Sequence, residues 1–429
     1  MRLAPALLTW MLGIALAGWL GCGGGSASGG GTPVSHPPSI SNLSVTPGAV
    51  YLGGGGGTTT VSATFAFTDT GGDLATLTLT IKNGANVTIQ TLAEQPITGP
   101  AGLTSGTLFG QVTVATTQAD TYSFHITIKD NLGATSNSLT GTFQVAPLPI
   151  TTLPGMANPR DRVAATTVGG LIQVLGGGDS LGNHFSTMES FDPATGIWTT
   201  RPPMAMPHDP AVVGVIGGKI LVAAGGLSRT TEAFDPATNT WSTVAPMLTE
   251  RQHAAGCELG GKLYVVGGNQ GMDLNTVEAY DPALDVWTTC APIPVARSWS
   301  GACSLGGKLY VIGGYASNSV SPWLNRVDIY DPATNMWSVG PPIPIALGIY
   351  QHAVVALNGK VVVFGGANAA RGLDTVYRFD PATGLWAQGA SLPRLMSQFG
   401  AGTASGKAYL FDRLGTICYD PAKDLGPLN

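Results

Sequence analysis

The residues best suited to chemistry are mainly basic side chains that recur once in each unit of a repeating sequence. Aligning the units on a shared Gly-Gly-Lys turn brings one set to the same position: Arg160, His208, Arg251, Arg297 and Tyr350, with Arg394 near the same place in the last unit. A second set lies two residues further on: Arg162, His253, Trp299 and His352. Several guanidinium groups at one opening would attract a carboxylate or another anion through bidentate hydrogen bonds. The alternative is that these side chains bond loop carbonyls and lock neighbouring units together.

The loops predicted between the second and third strands of the units differ in length. The longest runs from Tyr315 to Asn325 and carries Trp323. Because recognition residues concentrate on variable loops, we expect Trp323 either to contact a ligand or to pack within its loop. The sequence shows no nucleophile motif and no phosphate-binding loop, so we assign no catalytic residue, metal ligand or cofactor.

These positions belong to a repeat of about 43–50 residues that fills the chain from about residue 150. Each full unit has a glycine pair after a short apolar strand, and an aromatic residue seven positions before a Trp: Phe191–Trp198, Phe234–Trp241, Tyr280–Trp287, Tyr330–Trp337 and Phe379–Trp386. The Asp-Pro-Ala segment between the two aromatics has turn chemistry, so it predicts a hairpin with Tyr280 opposite Trp287. Each unit is therefore expected to form four strands, and such sheets arranged radially make a propeller.

The glycine pair, the aromatic and the Trp at these spacings resemble Kelch repeats in five full copies. A sixth copy is degenerate, because Gly406–Phe411 lacks the glycine pair. Ile150–Met156 resembles Trp198–Met204, the outer strand of the first full unit, so a strand near 150–153 is expected to complete the last unit. The resemblance implies an all-β fold, a six-bladed Kelch-type β-propeller over residues 148–429, with partners binding at its central mouth.

Residues 38–147 predict a separate β-sandwich. Apolar and polar residues alternate there in about seven short strands, which break at Gly, Asn and Asp. The turns at Asp69–Leu74 and Asp130–Gly133 resemble those of bacterial immunoglobulin-like domains. Asp69, Asp73 and Asp130 either close these turns on their own backbone or bind Ca²⁺. We expect an immunoglobulin-like spacer or adhesion module that precedes the propeller.

The first residues indicate export. Residues 1–21 have the basic start and apolar centre of a signal peptide, and Cys22 follows at a site that resembles bacterial lipoprotein cleavage sites. Residues 22–37 are rich in Gly and Ser and predict a flexible tether. We expect an exported protein that is lipid-anchored through Cys22 to the bacterial cell envelope, at the outer membrane or cell surface. Ordinary secretion without lipidation is the alternative.

Two of the remaining cysteines occupy the same repeat position. Cys257 and Cys303 align with Thr166, Gly214 and roughly Ala356 in other units. A position that accepts such small residues is tight, so buried free thiols are expected there in preference to a disulfide.

The amino-acid composition argues against one class of function, nucleic-acid binding. The net charge is −5 and only 10% of residues are charged, which argues against a nucleic-acid partner. We expect a binding module whose mouth and loops recognise a protein or glycan ligand, with anionic ligands among the candidates. Three alternatives stay open. The first is an enzyme that resembles sialic-acid epimerase propellers, with Asp161, Asp209 and Glu250 as acidic candidates. The second is an enzyme that resembles galactose oxidase, with Tyr350, His253 and His352 near copper. The third is a structural envelope protein.

Overall fold

The protein is described by a computed structural model. The residues that it describes are 10–15, 36–52, 58–97, 103–116, 118–226 and 228–426. Among them the only helix is a short 3-10 turn at Pro421–Lys423, so the all-β prediction is confirmed. No helix in this part of the chain has the length and apolar character to cross a membrane. The chain divides into two compact units, one of Met1–Leu148 with Leu428–Asn429 and one of Pro149–Pro427.

The first unit consists of two sheets. Its strands are β1 (Trp10–Ala15), β2 (Ser39–Thr46), β3 (Ala49–Tyr51), β4 (Thr58–Thr68), β5 (Leu74–Lys82), β6 (Thr88–Pro96), β7 (Ser105–Ala115), β8 (Asp120–Asp130) and β9 (Leu139–Ala146). They pair in the orders β1-β7-β4-β2 and β3-β9-β8-β5-β6. Alternate residues point inward, so that Val61 and Phe65 of one sheet share a hydrophobic core with Leu77 and Phe124 of the other.

The aspartates of the first unit close turns. Asp69 accepts the backbone N–H groups of Gly71 and Asp73 at 3.2 and 2.9 Å, and Asp130 accepts that of Ala134 at 2.7 Å. No group of three or more His, Cys, Asp or Glu among the described residues could hold a metal ion. Turn formation therefore accounts for Asp69 and Asp130.

The predicted signal peptide contains β1, whose six residues pair antiparallel with β7 in a register that sets Trp10 opposite Val112. The sequence does not predict this pairing. Cys22 and all but two residues of the predicted tether lie outside the described residues.

The second unit consists of six four-stranded antiparallel sheets, numbered here along the chain. Sheets 1 and 2 contain β11 (Ala164–Val168), β12 (Leu171–Leu175), β13 (Met188–Asp192), β14 (Ile197–Arg201), and β15 (Val212–Ile216), β16 (Lys219–Ala223), β17 (Thr231–Asp235), β18 (Thr240–Val244). Sheets 3 and 4 contain β19 (Ala255–Leu259), β20 (Lys262–Val266), β21 (Val277–Asp281), β22 (Val286–Cys290), and β23 (Gly301–Leu305), β24 (Lys308–Ile312), β25 (Val327–Asp331), β26 (Met336–Gly340). Sheets 5 and 6 contain β27 (Ala353–Leu357), β28 (Lys360–Phe364), β29 (Val376–Asp380), β30 (Leu385–Gln388), and β31 (Gly400–Ala404), β32 (Lys407–Asp412), β33 (Gly415–Tyr419), β10 (Ile150–Leu153).

Sheet 6 takes its outer strand from the start of the unit. β10 pairs antiparallel with β33, so that Ile150 lies opposite Tyr419. The first strands of the six sheets contact one another in a closed circle, from β11 through β15, β19, β23 and β27 to β31 and back to β11. These strands line a central cavity of about 470 Å³.

The repeated Trp residues join neighbouring sheets. Tyr280 lies opposite Trp287 with ring centroids 5.4 Å apart, which confirms the predicted cross-strand pair. The Trp287 Nε1–H donates to the Ala245 carbonyl in the preceding segment at 2.9 Å. The same kind of bond is made by all five repeat tryptophans: Trp198, Trp241, Trp287, Trp337 and Trp386. Each Trp therefore packs within its own sheet and fastens it to the sheet before.

The cysteines at the repeat position are free thiols. Cys257 and Cys303 lie on β19 and β23, and burial raises the pKa of the Cys257 thiol to about 12. Their equivalents by strand register are Thr166, Gly214, Val355 and Gly402, so Val355 and not Ala356 is the aligned residue of sheet 5. Small side chains are needed because these first strands pack closely around the circle.

Candidate ligand-binding site

Four of the predicted site residues are buried and bonded to an acidic side chain. Arg160, His208, Arg251 and Arg297 are at most 1% exposed, and each meets an acidic residue on the third strand of its own sheet. Arg160 Nη1 lies 2.6 Å from Glu189 Oε2, and His208 Nε2 lies 3.0 Å from Glu232 Oε2. The two other pairs are Arg251–Glu278 and Arg297–Asp328. We call Arg160, Arg251 and Arg297 the buried cations; His208 holds the same position in sheet 2.

The remaining donors of the basic residues go to loop or strand backbone carbonyls. Arg251 Nη1 donates to the carbonyls of Gly267 and Thr276, both at 2.9 Å. Glu278 accepts the N–H groups of Leu248 and Thr249, in the loop that enters the sheet, at 2.8 and 3.1 Å. The donors of the buried cations lock loops to strands and none reaches solvent, which favours the alternative that these side chains lock the units together over the prediction that they bind a ligand.

Sheets 5 and 6 lack both members of the pair. The N–H of Gly314 bonds Ile349 O just as that of Gly268 bonds Arg297 O, so Ile349 occupies the cation position in sheet 5. Tyr377 stands at the acid position, opposite Val363. In sheet 6 the equivalent residues are Met396 and Ile417. Cation and acid are lost together, as expected because a buried charge without its partner is costly.

The equivalent positions in sheets 5 and 6 correct the repeat positions predicted for Tyr350, His352 and Arg394. Tyr350 lies one residue beyond the cation position of sheet 5, and His352 lies one residue beyond its second position, which is held by Gln351. Arg394 lies two residues before Met396 and forms a two-point ion pair with Asp412, with Nη2 2.7 Å from Oδ1. Its guanidinium is therefore already occupied.

The second positions of the six sheets form a continuous circle, which we call the mouth ring. Its members are Arg162, Pro210, His253, Trp299, Gln351 and Gln398. Four backbone bonds run round it: Trp299 N–H to His253 O at 2.9 Å, Gln351 to Trp299 at 3.0 Å, Gln398 to Gln351 at 2.9 Å, and Arg162 to Gln398 at 2.6 Å. Pro210 has no N–H to donate.

The backbone of the mouth ring is strained. Five of its members have left-handed φ values between 55° and 59°: Arg162, His253, Trp299, Gln351 and Gln398. Residues with a Cβ avoid this region, and strained conformations cluster at functional sites. In four of these five residues, Arg162, Trp299, Gln351 and Gln398, the backbone N–H bonds the carbonyl of the preceding sheet's member.

The mouth ring encloses a cavity of about 140 Å³ with mixed lining. The His253 and Trp299 rings stack with centroids 3.6 Å apart and planes at 19°. Burial lowers the pKa of His253 to about 4, so its imidazole is neutral at pH 7. The side-chain amides of Gln351 and Gln398 make no hydrogen bond to any described residue. The mouth thus offers an aromatic surface beside free amide donors and acceptors.

Arg162 is the one guanidinium of the described mouth ring, and its charge is compensated. Its Nε and Nη2 contact the two Asp209 oxygens at 2.7 and 2.8 Å. Asp209 also lies 2.7 Å from His184 Nδ1, on the loop between β12 and β13. The hydrogen bond to Asp209 raises the pKa of Arg162. The mouth is therefore polar, and its one guanidinium is already paired with a carboxylate.

His352 points into the boundary with sheet 4. It is 7% exposed, and neither ring nitrogen makes a hydrogen bond within the described structure that meets normal geometry. Its ring packs beside Gly301 and Gly313 and also borders the mouth cavity. Burial lowers its pKa to about 4, so His352 is a neutral packing residue at pH 7.

Tyr350 and Trp323 come together with a residue that the sequence analysis misses. Tyr315 lies 6.0 Å from Trp323 and 6.4 Å from Tyr350, measured between ring centroids. All three rings are half-buried. We call Tyr315, Trp323 and Tyr350 the aromatic seam, since they lie where sheets 4 and 5 meet.

Comparison with known proteins agrees with this repeat. Residues 213–397 match the family described as KLHDC2/KLHL20/DRC7 Kelch-repeats domain, and residues 159–205 match the Kelch motif. The chain carries a Kelch-repeat domain. Its four-stranded sheets fit the blades of a Kelch propeller, and Kelch domains generally mediate protein interactions.

A solved structure supports the Kelch fold. The chain is similar to the structure titled "Structure of YjhT" with a TM-score of 0.53 and 15% identity, over 63% of this chain and 96% of that chain. At this identity the likeness concerns the fold alone. No curated protein matches the sequence.

Proposed function

We propose that this protein is an envelope-anchored binding module whose mouth recognises a glycan. In this proposal the six sheets are the blades of one propeller, and residues 38–147 form an immunoglobulin-like sandwich that spaces it from the membrane. Residues 1–21 are a signal peptide, and Cys22 carries the lipid. The closed circle of first strands supports the six-bladed arrangement.

The observation that carries the glycan proposal is the composition of the mouth ring. The unpaired amides of Gln351 and Gln398 lie next to the stacked rings of His253 and Trp299. Amides recognise hydroxyl groups as donor and acceptor at once, and aromatic rings pack against the apolar faces of sugars. A cavity of about 140 Å³ suits the end of a sugar chain better than a broad protein surface.

A glycan array tests this proposal with neutral and acidic sugars. The wild type should bind neutral glycans, and the variant Gln351→Ala/Gln398→Ala should lose at least about tenfold in affinity, since two to three hydrogen bonds are removed. The control Gln388→Ala changes an exposed glutamine on β30 and should bind like the wild type. Equal binding by the double variant and the wild type would overturn the assignment.

A carbohydrate-active enzyme is the second candidate. The observation that favours it is the contact of His184 with Asp209, because a buried carboxylate that holds an exposed imidazole is a common arrangement of a general base. Asp161 and Glu250, the other acidic candidates, bond Arg413 and Gln270 instead. Proton NMR of a bound sugar would separate the candidates: conversion that stops in His184→Gln supports the enzyme, and binding without conversion supports the module.

Lipidation has its own test. The wild type should partition with membranes and Cys22→Ser should not. Equal membrane association of both proteins would contradict the anchor and leave the mouth assignment untouched.

A further inference from the structure

The described tryptophans of the second unit fall into two groups. In five of them the indole N–H bonds a backbone carbonyl of the preceding segment. Trp299 and Trp323 are the exceptions: they are half-buried, and their N–H groups bond no described residue. Neither indole nitrogen is among the buried unsatisfied atoms of the described residues, so both N–H groups reach solvent and are available to a ligand.

These two residues lie close together on one end of sheet 4. Ser298, which precedes Trp299, exchanges both backbone hydrogen bonds with Tyr315 at 2.9 and 2.7 Å. Tyr315 in turn pairs with Trp323 on its other side. Trp299 and Trp323 are therefore about two strand spacings apart, roughly 10 Å. Tyr350 is next to Gln351, whose N–H bonds Trp299 O at 3.0 Å.

The aromatic seam differs in chemistry from equivalent boundaries. Between sheets 3 and 4, Asp273 accepts the Ser298 hydroxyl and both the N–H and the hydroxyl of Ser317, each at 2.7 Å. Between sheets 1 and 2 the contact is His184–Asp209 at 2.7 Å. Those boundaries are closed by polar pairs. At the aromatic seam the hydroxyls of Tyr315 and Tyr350 bond no described residue, so rings and hydroxyls stay available.

We propose that the aromatic seam is a second sugar subsite, so that the ligand is an uncharged oligosaccharide with one unit in the mouth and another on the seam. This inference rests on the proposed glycan-binding function. The mouth supplies amides and the Trp299 indole, while the seam supplies three aromatic faces with two hydroxyls and one indole N–H. No acidic or basic group belongs to the aromatic seam, which fits a neutral chain and disfavours a charged one.

Calorimetric titration with neutral gluco-, galacto- and manno-oligosaccharides, from monosaccharide to hexasaccharide, tests the second subsite. The wild type should gain at least about tenfold in affinity between monosaccharide and longer chains. Trp323→Ala should remove that gain and leave monosaccharide affinity within about twofold, whereas Trp299→Ala should weaken both. Tyr350→Phe and Trp323→Phe keep the rings but lose one donor each, so they should lie between wild type and Trp323→Ala.

The outcomes separate the two proposals. Affinity that does not grow with chain length, or an equal loss for short and long chains in Trp323→Ala, would overturn the second subsite while the mouth assignment stands. Absence of sugar binding by the wild type would overturn the proposed function itself. Thermal melting of each variant verifies folding, and the phenylalanine variants keep the test decisive if Trp323→Ala unfolds.

Discussion

In sheets 1, 3 and 4 the buried cations and the mouth ring lie only two residues apart, yet their surroundings are opposite. Arg251 is fully buried against Glu278, whereas His253 borders the mouth cavity. The sheets that lack a basic residue at this position also lack its acidic partner. The mouth ring, in contrast, contains charged, aromatic and amide side chains, from Arg162 to Gln398. The comparison teaches that basic residues at a repeat position can serve the scaffold, while the position two residues further on lines the mouth cavity.

The largest expected effect is on a buried cation. Arg251→Ala should lower the free energy of unfolding by about 3–5 kcal/mol, because Glu278 is left buried and unpaired. Urea denaturation measures the loss. The double variant Arg251→Ile/Glu278→Tyr copies the Ile349 and Tyr377 pair of sheet 5 and should be more stable than the single variant. A loss below about 1 kcal/mol in Arg251→Ala is the size expected of an exposed ion pair, and it would contradict the scaffold role of Arg251.

A smaller effect comes from His352, whose pKa is lowered by burial from 6.5 to about 4. The unfolded chain binds a proton at this residue between pH 6.5 and 4 and the folded chain does not, so stability falls as pH falls through this window. The contribution is about 3 kcal/mol at pH 4. On acidification the melting temperature of the wild type should fall relative to that of His352→Phe, which has no titrating group there; a constant difference across the window would contradict the assignment of a neutral His352.

Still smaller losses of stability are expected from replacing a tryptophan of each group, Trp287 and Trp323, by phenylalanine. Trp287→Phe removes the hydrogen bond to Ala245 O and should cost about 1 kcal/mol. Trp323→Phe removes an N–H that makes no bond, so its cost should stay below about 0.5 kcal/mol. Chemical denaturation of both variants measures the difference, and equal costs would mean that the Trp323 donor is engaged within the fold.

The sequence predicts the sheets well because their determinants are local. Turn residues fix each hairpin, and the pairing of Tyr280 with Trp287 follows from the loop between them. The direction of a side chain relative to the circle is not local. Arg251 and Arg162 look alike in sequence, and burial of the first depends on Glu278, 27 residues along the chain.

One signal for the buried pairs was present in the sequence. The third strands of sheets 1 to 4 carry Glu189, Glu232, Glu278 and Asp328 at one repeat position, and the two units without a cation lack an acid there. The mouth-ring residue of sheet 5 is harder to find, because a deletion shifts the sequence alignment there by one residue. The alignment therefore assigns Tyr350 and His352 to the positions that Ile349 and Gln351 occupy. Tyr315 has no sequence signal of its own, because its role depends on how two loops meet.

The most direct test of the account is the salt dependence of binding, measured with both neutral and acidic oligosaccharides. If the buried cations serve the scaffold and the mouth carries compensated charge, affinity should change by less than about twofold between roughly 0.05 and 0.5 M ionic strength. A fall of about tenfold or more over that range would show that exposed cations hold an anionic ligand, and would contradict the central claim.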